Sequence, residues 1–443
     1  MKYFKNFDYI FFFMIAALLI MGLLSIFSAT HGMIEKMRNA EIYFVKQLAW
    51  VVISLLGFLL IMKINYEKYR DYYPVFYIIG VFLLVSVLFA GVVVRNSKSW
   101  LNIGGFILQP SELMKIFFIM ALAGFLESYQ NRIRSAKAIL IPLFLAAVPV
   151  ALILKQPDFG TAITFFPVLL GMLFVAGARV IYLMTFVLIG VFSVGSTLYT
   201  GYINLQPHIL KHSAFLSYIY RVVTDTKTRL IFIAAAAAIL LAGYFIMRLV
   251  GIRGKGLAVS VLILTIFIGL NLGSYADSYL KPYQKKRLIT FMSPETDPLG
   301  SGYNIIQSII AVGSGGIVGK GFLHGTQSRL GFLPEQRTDF VFAVLGEEWG
   351  FAGSMFTLAI YLLIILRIIK TGYSSRTLFG AYFCTGVAVL LSFHLIINVG
   401  MVIGIMPITG LPLPFLSYGG SSMLSFVTAL AVVFNINSQR YIF

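Results

Sequence analysis

Residues 334–342 read Pro-Glu-Gln-Arg-Thr-Asp-Phe-Val-Phe, so two carboxylates and a guanidinium stand directly before the apolar run Phe340-Val341-Phe342-Ala343-Val344-Leu345. Only 11% of the chain is charged, and charges at the threshold of a membrane-length helix require a reason. An ionised side chain costs roughly 2.5–3.5 kcal/mol at the centre of a spanning helix, and less near the interface. A partly desolvated carboxylate such as Asp339, placed where an extracytoplasmic loop re-enters the bilayer, can act as a base, a metal ligand or a proton carrier.

Further polar groups stand out against the apolar background. Glu112 and Lys115 are spaced i, i+3, which puts them on one helix face as an intramembrane ion pair; such a pair equally serves only to let both groups be buried. Lys155 and Asp158 flank Gln156-Pro157 at the outer end of another span, where a capping or interfacial pair is the ordinary reading. Glu347 and Glu348, beyond the re-entry point, suit helix packing or capping. His394, alone on an apolar helix, reads as a satisfied core residue, and Trp100, beside Lys98, as an aromatic-belt anchor. The run Gly313-Ser314-Gly315-Gly316-Ile317-Val318-Gly319-Lys320-Gly321 has the glycine density of a phosphate loop but not the Walker spacing, and no strand precedes it. A nucleotide is not expected there, although its backbone amides would suit a diphosphate or a sugar.

The elements that must position these groups are membrane helices. At 443 residues, 59% hydrophobic and with a mean hydropathy of +0.91, the chain is an integral membrane protein. Apolar stretches of spanning length recur at roughly 8–28, 44–63, 74–94, 113–127, 137–154, 160–177, 180–198, 230–249, 256–274, 344–367, 376–400 and 421–436, about twelve in all. The first lacks a small-residue cleavage pattern and is expected to be retained. With the N-terminus cytoplasmic, the basic loops Lys63–Arg70, Arg132–Lys137, Arg248–Lys255 and Arg367–Arg376, and Arg440, fall on one face. Residues 275–343 and 401–420 are then extracytoplasmic. The single cysteine, Cys384, lies in an apolar helix and leaves no disulfide framework.

The formal charge is +18, and the positive-inside bias does not absorb all of it. Lys36, Arg38, Lys155, Arg221, Lys285, Lys286, Arg287, Lys320, Arg329 and Arg337 fall on the outer side, which suggests anionic headgroups or a phosphorylated substrate. Nucleic acid is not expected as a partner, because these charges are scattered among spans. Two segments are too irregular for helices and too apolar for solvent loops: 102–112, where Ser111 is a plausible N-cap for a helix beginning at Glu112, and the Gly/Pro-rich 400–422. Irregular backbone at membrane depth must be buried in protein or line a cavity, so both are candidate cavity walls. The stretch from about Ser196 to Asn271, including His208, Lys211 and His212, carries no motif and reads as accessory.

Pro334–Ala343 resembles the SEDS family of cell-wall membrane proteins, as do Lys155-Gln156-Pro157-Asp158-Phe159-Gly160-Thr161, Gln109-Pro110-Ser111-Glu112 and Pro414-Phe415-Leu416-Ser417-Tyr418-Gly419-Gly420-Ser421-Ser422. The run from Pro294 to Gly302, with His324-Gly325-Thr326-Gln327-Ser328, is similar to the family's elongation branch rather than its division branch. The resemblance covers essentially the whole chain. It implies an all-α polytopic membrane protein, a single domain of about 10–12 transmembrane helices with a large extracytoplasmic catalytic loop at 275–343. Family members usually have about ten spans, so residues 199–275 read as an inserted helix pair that preserves parity.

The same resemblance implies a peptidoglycan glycosyltransferase that polymerises lipid II, an undecaprenyl-diphosphate-linked disaccharide pentapeptide, during elongation and rod-shape maintenance. Asp339 lies where the family has its essential aspartate, the expected base for an inverting displacement at the donor anomeric carbon. Trp100, Glu112, Lys115 and Asp158 fall on positions the family keeps for function or core integrity, and Lys155, Glu335, Arg337, Thr338, Ser417 and Ser421 complete the expected substrate-binding or cavity set. The leaving diphosphate needs positive charge, from a divalent cation (Mg or Mn) or from Lys115, Lys155, Arg329 or Arg337. The implied partners are a class B penicillin-binding protein and other elongation-machinery membrane proteins. The competing readings are a lipid II flippase and a non-catalytic scaffold for the penicillin-binding protein.

Overall fold

In a computed structural model the chain is described over residues 7–34, 41–94, 97–130, 133–205, 208, 210, 213–249, 256–279, 290 and 300–439. Lys36, Arg38, Arg132, Lys211, His212, Lys255, residues 281–287 and 294–299, and Arg440 lie outside these. The described chain divides into two compact units, residues 1–178 with 304–443, and residues 179–303.

In the first unit, α1 (Tyr9–Ile34), α2 (Glu41–Met62), the short α3 (Tyr66–Asp71) and α4 (Tyr73–Ala90) precede a small antiparallel sheet. Then come α5 (Pro110–Ser128), α6 (Ala136–Lys155) and α7 (Phe159–Val175). The unit resumes at residue 304, within α12 (Ser301–Ser314), and continues with the single-turn α13 (Thr326–Leu330), α14 (Val341–Tyr373), α15 (Leu378–Val402) and α16 (Gly420–Gln439). The second unit holds α8 (Val180–Leu205), α9 (Ala214–Thr224), α10 (Thr226–Leu249) and α11 (Gly256–Tyr279). The helix pair expected at 199–275 falls inside it. There α8 packs along α11, and buried Arg229 of α10 donates to Ser274 Oγ at 2.6 Å and to the Leu270 carbonyl at 3.3 Å.

Each stretch expected to span is helical over most of its length, and among the described residues eight helices are long and apolar enough to cross a membrane. The chain is a multi-pass membrane protein. α5 is of spanning length at 19 residues but carries Glu112, Lys115 and Glu127, and α7 is shorter at 17. Prolines 142, 149 and 167 stand inside α6 and α7, which neighbouring helices permit in a membrane interior. α16 is the most enclosed span, with 83% of its apolar window buried; it packs on α2 and α5 and forms the centre of the unit.

One correction concerns the helix expected to run to residue 94. It ends at Ala90, and the chain forms β1 (Val92–Val94), β2 (Ser97–Ile103) and β3 (Phe106–Leu108) in the order β1-β2-β3. Gly104 and Gly105 have φ of 58° and 87°, the left-handed pair that a two-residue hairpin turn requires, and Asn102 Oδ1 accepts from the Gly105 amide at 3.1 Å. The ribbon is a small addition to an all-α membrane fold, and it reaches into the 102–112 segment expected to be irregular.

Candidate active site at the Asp339 turn

Between α13 and α14 the chain passes through a series of tight turns. Three ties hold this segment to other parts of the unit. Buried Gln336 donates through Nε2 to the Ala29 carbonyl of α1 at 2.8 Å. The Arg337 carbonyl accepts from the Tyr418 amide at 2.8 Å. The Asp339 carbonyl accepts from Asn398 Nδ2 of α15 at 2.9 Å. Glu335 adopts a left-handed φ of 51°, and its carbonyl accepts from the Thr338 amide at 3.0 Å. Non-glycine residues hold such dihedrals where surrounding structure fixes them, and they gather at functional sites. Asp339 is half-buried, two residues ahead of the first residue of α14, where the helix dipole favours negative charge.

The facing wall is the irregular segment 403–419, whose part from 411 to 417 is buried in protein as its depth requires: Leu411, Leu413, Phe415, Leu416 and Ser417 are all at most 4% exposed. The four carbonyls of residues 411–414 are satisfied one after another by side chains and local backbone. Leu411 O accepts from Asn398 Nδ2 at 2.8 Å, the group that also holds Asp339. Pro412 O bonds His394 Nδ1 at 3.0 Å, Leu413 O accepts from the Ser417 amide at 2.9 Å, and Pro414 O accepts from the Tyr361 hydroxyl. Ser417 Oγ in turn accepts from the Leu413 amide at 2.8 Å, so Ser417 holds the wall's own turn. Phe415, with φ of 71°, is the second strained non-glycine residue of the site.

Behind this wall lies a buried polar chain. Lys115 Nζ donates to Glu112 Oε1 at 3.0 Å, with the two side chains 2% and 4% exposed. It also lies 3.1 Å from His394 Nε2 and 5.4 Å from the centroid of the Phe426 ring. A carbonyl only accepts, so His394 carries its proton on Nδ1 toward Pro412 and offers the Nε2 lone pair to the ammonium. His394 is thus a satisfied core residue, and it ties the ion pair to the 403–419 wall. Glu112 Oε2 is buried without a partner.

Two sequence expectations are corrected here. α5 begins at Pro110 with Gln109 as its N-cap residue, because proline's fixed φ suits the first helical position. Ser111 therefore lies inside the first turn and donates to Asp158 Oδ2 at 3.3 Å. Asp158 does not pair with Lys155. It caps α7 through the Thr161 amide at 3.1 Å and accepts from Gln109 Nε2 at 2.7 Å, while Lys155 is exposed at the end of α6. Helix capping outcompetes a lysine directed to solvent. Ser421, in the first turn of α16, accepts from the Gln109 amide at 2.8 Å, joining the two walls. Trp100 lies on β2 opposite Val92. Glu335 is exposed, and Thr338 donates to its Oε2 at 3.1 Å.

The glycine run is corrected as well. The amides of Gly319, Lys320 and Gly321 are committed to Gly315 O, Glu347 O and Glu348 O at 2.9, 3.0 and 3.0 Å. α14 is broken at Gly350 (φ 65°), and a Cβ on that residue would lie 2.3 Å from the Gly319 amide nitrogen. The glycines let two backbones touch; they do not cradle a ligand.

Glu347 takes the capping role expected of it, on a helix distant from its own, and Gln47 is a feature the sequence reading missed. Fully buried Glu347 accepts from the amides of Thr326, Gln327 and Ser328 at 2.7, 2.9 and 3.1 Å and from Lys320 Nζ at 2.9 Å, clamping the His324–Ser328 motif. Gln47 of α2, 1% exposed, accepts through Oε1 from the Gly419 amide at 3.2 Å; its only signal was an uncharged polar residue in an apolar span. Among the described residues no three His, Cys, Asp or Glu side chains gather as a metal site.

The fold and site together define a polytopic membrane protein with one half-buried carboxylate on a rigid turn at the end of a helical bundle. The sequence profile of the cell cycle protein family of FtsW, RodA and SpoVE matches residues 9–219 and 214–442. Peptidoglycan glycosyltransferase RodA of Treponema pallidum (strain Nichols) is 36% identical, with 98% of each chain covered. Peptidoglycan glycosyltransferase MrdB of Escherichia coli (strain K12) is 31% identical over 96% of this chain and 91% of its own. A solved chain from a peptidoglycan synthase complex that coordinates polymerization and crosslinking superposes with a TM-score of 0.66 at 25% identity, covering 99% of this chain and 100% of that one. The chain belongs to the FtsW/RodA/SpoVE family.

Proposed function

We infer that this chain is a peptidoglycan glycosyltransferase of cell elongation, that lipid II is both its donor and its acceptor, and that Asp339 is its general base. The observation that carries the assignment of the base is the turn itself, three of whose residues are hydrogen-bonded to α1, to α15 and to the 403–419 wall. A sugar hydroxyl is a poor nucleophile at neutral pH, and a positioned carboxylate that removes its proton contributes typically 10²–10⁴-fold to rate. Rigidity matters because a base must meet a particular proton, and a 1 Å displacement can cost about 10²-fold.

Conversion of an α-linked diphosphate to a β-glycoside is a single inverting displacement, with base and leaving group on opposite faces of the ring. The diphosphate leaves without an obligatory protein acid, provided its charge is met. The Glu112–Lys115–His394 chain is a positioning element in this reading, holding α5 and α15 to the wall behind the acceptor. Asp339 and Glu335, two oxygen donors in one turn, suit a hard divalent cation shared with the substrate diphosphate. Such an ion would neutralise charge on the leaving group.

The basic residues Lys63, Lys68, Arg70, Arg367, Lys370 and Arg376 collect at the end of the bundle away from Asp339, which supports cytoplasmic termini and an extracytoplasmic site in the bacterial inner membrane. A class B penicillin-binding protein is the proposed transpeptidase partner, alongside other elongation-machinery membrane proteins. The test is polymerisation of labelled lipid II by the purified chain, with and without that partner and with and without Mg or Mn. Muramidase-sensitive glycan strands are expected; lipid II carried across a bilayer without chain growth would favour the flippase reading.

A further inference from the structure

The start of α16 has more hydrogen-bond donors than acceptors. The amides of Gly420, Ser421 and Ser422 have no acceptor within the helix, and the helix dipole adds about half a positive charge there. Gln47 Oε1 holds the Gly419 amide at 3.2 Å. The amide orientation is fixed by that bond, because a side-chain NH₂ cannot face an N–H. Gln47 Nε2 shares its carbon with Oε1 and so stands at the same helix start, and it is buried with no partner. Ser422, 7% exposed, has its Oγ buried without a partner as well.

Arg337 reaches this place from the Asp339 turn. Its carbonyl is bonded to the Tyr418 amide at 2.8 Å. Its guanidinium lies 4.0 Å over the ring of Tyr43, one turn before Gln47 on the same face of α2. The Tyr43 and Tyr418 rings are 5.4 Å apart. Arg337 Nη1 is buried with no hydrogen-bond partner, and among the described residues no carboxylate pairs with it. Leaving buried donors and an arginine uncompensated is costly, and one occupant resolves all of them together. We propose that the first turn of α16, Gln47, Ser422 and Arg337 form a binding site for the diphosphate of a polyprenyl-diphosphate-linked sugar.

The chemistry favours a diphosphate over a single phosphate ester. A stacked guanidinium presents two parallel N–H groups to one phosphate, and a helix start presents several amides to another. Arg337 is two residues from Asp339, so charge would be met beside the base. The identity of the lipid carrier rests on the glycosyltransferase reading; the diphosphate site itself does not require turnover.

The decisive variant is Gln47→Glu, which keeps shape and the acceptor for Gly419 but replaces the unpartnered donor with an anionic oxygen. The full chain in phosphatidylcholine nanodiscs would be titrated with undecaprenyl diphosphate lacking any sugar. Wild type is expected to bind it; Gln47→Glu should weaken binding by more than about tenfold, and Arg337→Lys and Ser422→Ala by a few-fold each. Should Gln47→Glu fail to fold, the last two variants decide. The proposal is overturned if wild type does not bind the probe, if the variants bind within twofold of wild type, or if phosphatidylglycerol displaces the probe at equal concentration, which would make this a general headgroup site. A chain that binds the diphosphate as described but forms no glycan would count against the glycosyltransferase reading and leave this site standing.

Discussion

The Lys115 side chain is only 2% exposed, with a carboxylate, an imidazole and an aromatic face around it. Removing one partner of such a pair typically costs about 3–5 kcal/mol, because the survivor is left buried and uncompensated. Glu112→Gln and Lys115→Met are each expected to lower thermal stability in detergent by that order. The double variant should cost less than the two together by at least about 1 kcal/mol; additive losses would mean the two residues do not act as a pair. This pair was legible because an i, i+3 spacing is a local fact. His394 was legible only as a core residue, since its link to Lys115 spans 279 positions. Asp158 takes the capping role open to it, but its pairing was not legible for the same reason: its partners Gln109 and Ser111 lie 49 and 47 residues away, while the nearby Lys155 is not one of them.

Among the elements, the clamp of Glu347 on the turn at 326–328 sets the approach to the Asp339 turn. One carboxylate satisfies three amides at the start of α13, a five-residue helix that could not hold itself. Glu347→Ala is expected to free this turn, raising proteolytic cleavage near residues 320–330 severalfold, with little change in the cleavage of α15 or α16. Uniform sensitivity along the chain would indicate global destabilisation and contradict a local clamp. The glycines at 313–321 looked like a ligand loop because glycine density marks close backbone approach without saying whether the approaching group is a phosphate or a helix. The hairpin at 97–108 was likewise hidden, since an apolar membrane-surface segment shows no clear alternation of polar and apolar faces.

At the scale of the whole molecule, the apolar stretches alone located every helix expected to span, because a hydrocarbon slab leaves a single chain few alternatives to the helix. They do not say which end of the bundle faces which compartment. Cys384 is the chain's only cysteine, so a Cys384→Ala background permits a direct test. A cysteine replacing exposed Lys155, at the Asp339 end, should react with an impermeant maleimide added to intact cells, and one replacing exposed Lys68 only after permeabilisation. The reverse pattern would place the site in the cytoplasm and contradict the proposed orientation. The most direct test of the central claim is the rate at which Asp339→Asn polymerises lipid II, because this change preserves size and leaves the carbonyl bond to Asn398 in place while removing the basic oxygen. A loss of at least about 10²-fold is expected, with partner binding and melting temperature retained; polymerisation at the wild-type rate would show that this carboxylate is not the base.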